Sequence, residues 1–276
     1  MLSATTYAGL LLASQFLFSP ISSAGETGQL ASRSVIFQVP DASFRPPKGR
    51  GRPRQSLGAG TRGSCLTSNE KERPLTALVP ENKADPENSV GLTLRGHPQF
   101  LVYIPESSAT MGEFYIGLEE EVDGRRGPQV VLNDVYVTEI KLPDEPGLIS
   151  LQLPQEEVGL EVGQTYRWYF SITCDGPDRS GDPTVSGVVH RVDIPELSRR
   201  ARLTSLLERV SLYAEQGIWY DTLAGLAALR QSNPDDESLE QEWQSLLDSD
   251  TVNLSEISQE PLIQCCQASN EGVSQR

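Results

Sequence analysis

Leu160-Glu161-Val162-Gly163-Gln164-Thr165-Tyr166-Arg167-Trp168-Tyr169-Phe170-Ser171-Ile172-Thr173-Cys174 reads as a turn followed by one strand with two dissimilar faces. From Tyr166 the side chains alternate. Tyr166, Trp168, Phe170, Ile172 and Cys174 share one face, while Arg167, Tyr169, Ser171 and Thr173 share the other. Three rings on one side of a strand demand an apolar layer opposite, and a second sheet supplies it. The stretch is read as a central strand of a β-sandwich.

Working outward, strand-like runs recur between turn signals at Leu75–Val79, Val90–Leu94, Gln99–Ile104, Glu113–Leu118, Val130–Ile140, Leu148–Leu153, Thr165–Cys174 and Thr184–Ile194. Pro80, Pro98, Pro105, Pro128, Pro143, Pro146, Pro154, Pro177 and Pro183 fall at or outside their ends, where a missing N–H does no harm. Asp123-Gly124 marks a hairpin. No helical period interrupts the runs, so the expected fold is mainly β, an antiparallel sandwich of seven or eight strands over residues 65–195. The spacing Leu160-x-x-Gly163-x-x-Tyr166-x-Trp168 resembles the tyrosine corner of fibronectin type III and immunoglobulin-like sandwiches. That resemblance implies an Ig-like sandwich whose tyrosine hydroxyl bonds to backbone a few residues upstream.

From Glu196 the period becomes helical. Leu203, Leu206, Leu207, Val210 and Tyr213 mark a helix ending near Gly217, which suits a left-handed cap. Trp219, Leu223, Leu226, Ala227 and Arg230 mark a second, stopped by Asn233-Pro234. Pro234 suits the first turn of a third, whose Leu239, Trp243, Leu246 and Leu247 face inward. Residues 196–276 are thus a helical hairpin or three-helix segment with a cysteine-containing tail. Tyr213, Gly217, Tyr220, Leu226 and Pro234 resemble one tetratricopeptide repeat, although Val210, Thr222 and Leu229 replace its small residues. One such hairpin cannot bury its own face and must lean on the sandwich or on another chain.

Residues 1–24 read as an export signal. Tyr7–Phe18 is apolar but too short to span a bilayer, and Ser22-Ser23-Ala24 offers small residues for cleavage, although the n-region has no Lys or Arg. After cleavage no apolar run of spanning length remains. Residues 25–64 read as a flexible basic linker rich in Gly, Pro and Arg, with Ser34–Val39 as a short additional edge strand. In an exported chain the four cysteines, Cys65, Cys174, Cys265 and Cys266, are disulfide partners rather than metal ligands. A bridge between adjacent cysteines is strained, so the expected pairings join Cys65 and Cys174 to the C-terminal pair and staple the tail to the sheet.

The net charge of −15 disfavours general binding to nucleic acid or anionic membranes. Six bases and no acid lie between Arg45 and Arg62, whereas thirteen acids face three arginines after Leu203. The pattern is a basic arm on an acidic body. Gly49–Arg54 resembles an AT-hook core, but export separates it from the chromosome. Asp175, Asp178 and Asp182 in one loop offer carboxylates to calcium, and Arg179 beside them equally makes a solvated, balanced turn. The two histidines, His97 and His190, lack any nucleophile motif, and no zinc-ligand cluster or cofactor motif stands in the sequence.

Gly60–Cys65, Leu75–Pro80, His97-Pro98 with Tyr103-Ile104-Pro105, Pro146–Ser150, Gly163–Asp175, Gly217–Asp221 and Pro261–Cys266 together resemble a cyanobacterial secreted family, domain of unknown function 928. The resemblance implies a photosynthetic bacterial source and an exported module, and supplies no catalytic residue. The expected role is a binding or adaptor protein of the cell envelope, not an enzyme. Its partner would be another envelope protein, met through the helical hairpin and the sandwich loops. The alternative is an envelope hydrolase, carbohydrate-active or peptidase-like, which requires convergent carboxylates in a pocket or His190 beside a hydroxyl.

Overall fold

The computed structural model describes residues 65–66, 73–80, 90–124, 127–174 and 179–266, all within one compact unit, Phe37–Arg276. The expected signal, the linker with its Ser34–Val39 strand, and Asp175 and Asp178 lie outside these residues. Eight strands follow in order: β1 (Thr76–Ala77), β2 (Gly91–Thr93), β3 (Gln99–Ile104), β4 (Met111–Gly124), β5 (Gly127–Lys141), β6 (Gly147–Gln152), β7 (Thr165–Thr173) and β8 (Thr184–Arg191). Four helices come next: α1 (Pro195–Ala201), α2 (Leu206–Glu215), α3 (Trp219–Ser232) and α4 (Glu237–Asp248).

The strands form two sheets, β1-β3-β6 and β2-β8-β7-β4-β5. β7 is buried at every second residue, on the face that carries Tyr166, Trp168, Phe170 and Ile172. Phe100 of the smaller sheet meets Trp168 and Phe114 of the larger one at ring separations of 5.2 and 5.5 Å. The sheets are not wholly antiparallel, because β2 runs parallel to β8. No hairpin joins these two strands, so turn geometry does not set their relative direction, and the larger sheet is mixed.

α1 is a helix that the hydrophobic period does not reveal. It starts with Pro195 in its first turn and buries only Leu197 and Ala201, too few residues to display a repeat. α2 begins with a capping box between Ser205 and Glu208. Gly217 closes it at φ +69°, the left-handed conformation glycine accepts most readily. α4 departs from expectation at its start. Asp236, not Pro234, sets its boundary, by accepting the N–H groups of Ser238 and Leu239.

The helices are not a separate layer. Every residue of α3 from Trp219 to Ala227 is buried, and one apolar cluster contains residues of both sheets, α3 and α4. Trp168 Nε1–H donates to Tyr220 Oη at 2.8 Å, and Tyr220 Oη–H donates to Val188 O at 3.1 Å. Trp219 Nε1–H donates to Leu78 O at 2.9 Å. These three buried ring donors are thereby satisfied across the sheet–helix boundary.

Candidate functional site

Tyr166 Oη accepts the Glu161 N–H at 2.8 Å, five residues upstream. Gly163 at φ +84° turns the chain there and donates its N–H to Arg191 O at 2.7 Å. Leu160 is buried, its N–H donates to Gly96 O, and its carbonyl accepts from the Arg191 guanidinium. These contacts join the turn to β8. Their role is architectural.

The cysteines pair as Cys65–Cys174 and Cys265–Cys266, so the expected staple between tail and sheet is not formed. The reason is position along β3. Cys65 O accepts from Ser107 Oγ and from Ser108 N–H, just past the Ile104 end of that strand. At the same end Thr173, next to Cys174, is opposite Met111. Cys265 and Cys266 instead lie beside Gln99 and Gln152, at the other end of the strand. The tail is held without a covalent tie. Leu148 N–H donates to Pro261 O and Ile263 N–H donates to Leu148 O, both at 2.8 Å.

Asp182 is the calcium-loop aspartate within the described residues, and both its oxygens are engaged. Cys174 N–H donates to one at 3.1 Å, and Arg179 Nε–H donates to the other at 2.6 Å. His97 Nε2 lies 2.9 Å from Glu157 O. His190 Nδ1 lies 2.9 Å from Thr165 Oγ1, its cross-strand neighbour, and the residue is only 4% exposed.

Asp221 of α3 is a buried carboxylate that sequence reading did not single out. Thr93 Oγ1–H and Leu94 N–H donate to one of its oxygens at 2.7 and 3.1 Å, and Arg95 Nε lies 3.2 Å from the other. Burial pushes this carboxyl above the usual carboxylate range, against the opposing pull of Thr93 and Arg95. Arg95 is half-exposed, so the cluster is a clamp between α3 and β2 at the rim of the body.

Two open surfaces stand out among the described residues. The first is a groove of about 880 Å³ lined by Gln99 of β3, Gln152 of β6, Gln155 of the following loop, Gln231 of α3 and Gln264 of the tail, with the Cys265–Cys266 bridge on its wall. Five amides from five segments converge, and no spacing in the sequence foretells that. A smaller cleft of about 260 Å³ adjoins it, sharing Gln231 and Gln264 and adding Asp236 and Glu240. Glu240 is bound there by Arg230, which also stands 4.6 Å over the Trp243 ring.

The second surface is an arm. β7 accompanies β4 only as far as Leu118, opposite Tyr166, while β4 and β5 continue together to Gly124 and Gly127. Arg167 braces the base of the arm through Glu119 at 2.6 Å. A register shift between Ile116 and Gly117 marks the point of departure. Beside it Tyr115 Oη–H donates to Asp134 at 2.7 Å; burial and that carboxylate push the phenol up to about 12. Beyond the base Val122, Val130 and Val131 are exposed at 38%, 62% and 38%, among Glu120, Glu121 and Asp123.

The family model of Domain of Unknown Function (DUF928) matches residues 57–262. The chain belongs to that family. No curated protein matches the sequence. No helix among the described residues is long and apolar enough to cross a membrane.

Proposed function

We propose that this DUF928 protein is an exported binding or adaptor protein of the cell envelope, and that it grips a partner protein with the β4–β5 arm. Its two sheets are read as an immunoglobulin-like body entered at the Tyr166 corner. The α2–α3 pair is read as a single tetratricopeptide-like hairpin leaning on that body. The observation that carries the proposal is the arm itself, two strands extending past their sheet with three exposed valines. A two-stranded hairpin is marginal in water, and this one exposes apolar side chains on both faces, Val122 and Val131 on one and Val130 on the other, for a partner to cover. Acids on β4 around those valines favour a partner with a basic, partly apolar face.

The helices contribute less surface than their sequence suggests. α3 is buried from Trp219 to Ala227, and Leu203, in the turn before α2, is 84% exposed. The hydrolase reading has one contact in its favour, His190 against Thr165. The burial of that ring counts against it, because a substrate must reach the reacting atoms.

The test is affinity capture from fractionated native cells with the tagged full chain and with a Val130→Ser, Val131→Ser double variant. The expected result is a partner recovered from the envelope fraction by the parent and lost from the variant, with equal thermal midpoints for both. Equal recovery by both chains rejects the arm as the contact. Thr165→Ala is expected to leave capture unchanged.

A further inference from the structure

Successive residues of an edge strand present their N–H and C=O groups alternately to the neighbouring strand and to the outside. Leu148 of β6 faces outward, since both its backbone groups bond to the tail. Ser150 and Gln152, two and four residues further on, face outward as well. Their cross-strand partners agree: Leu101, opposite Ser150, turns its carbonyl away from β6 to accept from Leu78 N–H. The tail leaves β6 after Ile263. Among the described residues nothing takes up the outward N–H and C=O groups of Ser150 or Gln152. Ser150 and Gln152 line the glutamine groove.

We infer that this groove is a binding site for a short extended peptide segment of another protein, added to β6 as a strand where the tail departs. A free strand edge supplies a row of main-chain donors and acceptors, the chemistry by which peptides join sheets. Two outward residues on β6 match a stretch of about three to five peptide residues. Each glutamine amide both donates and accepts, as a peptide group does, so Gln231 and Gln264, which lie beyond β6, suit the outer side of an added main chain. The described lining residues include no aromatic ring on which a sugar face would stack, which favours a peptide over a glycan. Glu156 on the wall and Asp236 in the adjoining cleft favour a segment bearing lysine or arginine over an acidic one. The inference stands apart from the arm, since the described residues that line the groove include none from the arm.

The experiment uses a phage-displayed library of random heptapeptides, selected on the oxidised full chain. Enriched peptides are synthesised and titrated by fluorescence polarisation. Gln152→Pro removes one outward N–H without touching the ladder to β3. The expected results are peptides with a basic residue and no proline in the docking stretch, bound at least tenfold more weakly by Gln152→Pro. A Gln231→Ala, Gln264→Ala chain should also lose affinity, while Val130→Ser, Val131→Ser should not. Thermal midpoints within a degree or two of the parent show that the variants are folded. The inference is overturned if selection yields no peptide, or if enriched peptides bind Gln152→Pro as tightly as the parent. It is equally overturned if peptides bind only a chain ending at Cys266, which would give the groove to the protein's own C-terminal residues. Binding of an oligosaccharide array with no peptide binding would assign the site to glycans instead.

Discussion

Asp221 concentrates the electrostatics of the fold in one side chain. It is 2% exposed and accepts two hydrogen bonds. Because burial raises its folded-state pKa above 3.8, the folded protein holds this proton more tightly than the unfolded chain does. The stability contributed is fully present below about 3.8 and is lost as pH rises through the raised folded value. Asp221→Asn does not titrate and keeps an acceptor for Thr93 and Leu94. Denaturant unfolding between pH 3 and pH 7 should therefore show the parent losing stability relative to Asp221→Asn as pH rises. A parent that gains instead would mean that Arg95 outweighs burial. Asp221→Ala strands both donors and should cost about 1–3 kcal/mol at any pH in that range. Sequence reading only counted Asp221 among the thirteen acids after Leu203, because a helix segment that buries its whole circumference has no polar face to betray a buried carboxylate.

The strands were largely legible as short alternating or continuously apolar runs between turn signals, and each of the eight expected runs overlaps one of the strands. What alternation cannot carry is direction and depth. The parallel β2–β8 pair rests on three residues without a hairpin, and α1 is too short for a period. The groove was illegible for a related reason, since its glutamines come from segments that only the tertiary fold unites. Depth is set by glycine at one strand in particular. A Cβ at Gly187 of β8 would stand 2.6 Å from Trp168 Nε1 and 2.7 Å from Val79 Cγ1. A buried valine side chain on one side and a fully buried indole on the other leave little room for relaxation. Gly187→Ala should cost about 1–3 kcal/mol by overpacking, read as a lower urea midpoint with unchanged slope. An unchanged midpoint would mean that the two sheets tolerate separation at this point.

For the whole molecule the two disulfides differ in kind. Cys65–Cys174 closes a loop of sequence separation 109, whereas Cys265–Cys266 joins adjacent residues. Loop-closure entropy predicts a loss of about 2–5 kcal/mol for a Cys65→Ala, Cys174→Ala chain and a far smaller loss for Cys265→Ala, Cys266→Ala. Non-reducing peptide mapping together with denaturant melts checks both, and equal losses would refute the assignment. The rule that adjacent cysteines avoid each other failed because it weighs local geometry alone. The fold had already placed the other two partners at the far end of a strand. The chain also carries its own optical probe. Trp168, Trp219 and Trp243 belong to a strand and two helices, and all three are fully buried. The Trp168–Tyr220 hydrogen bond crosses from sheet to helix. Intrinsic emission should therefore begin blue-shifted and move to the red in a single step coincident with loss of far-ultraviolet ellipticity, because neither layer can release its indoles while the other stays closed.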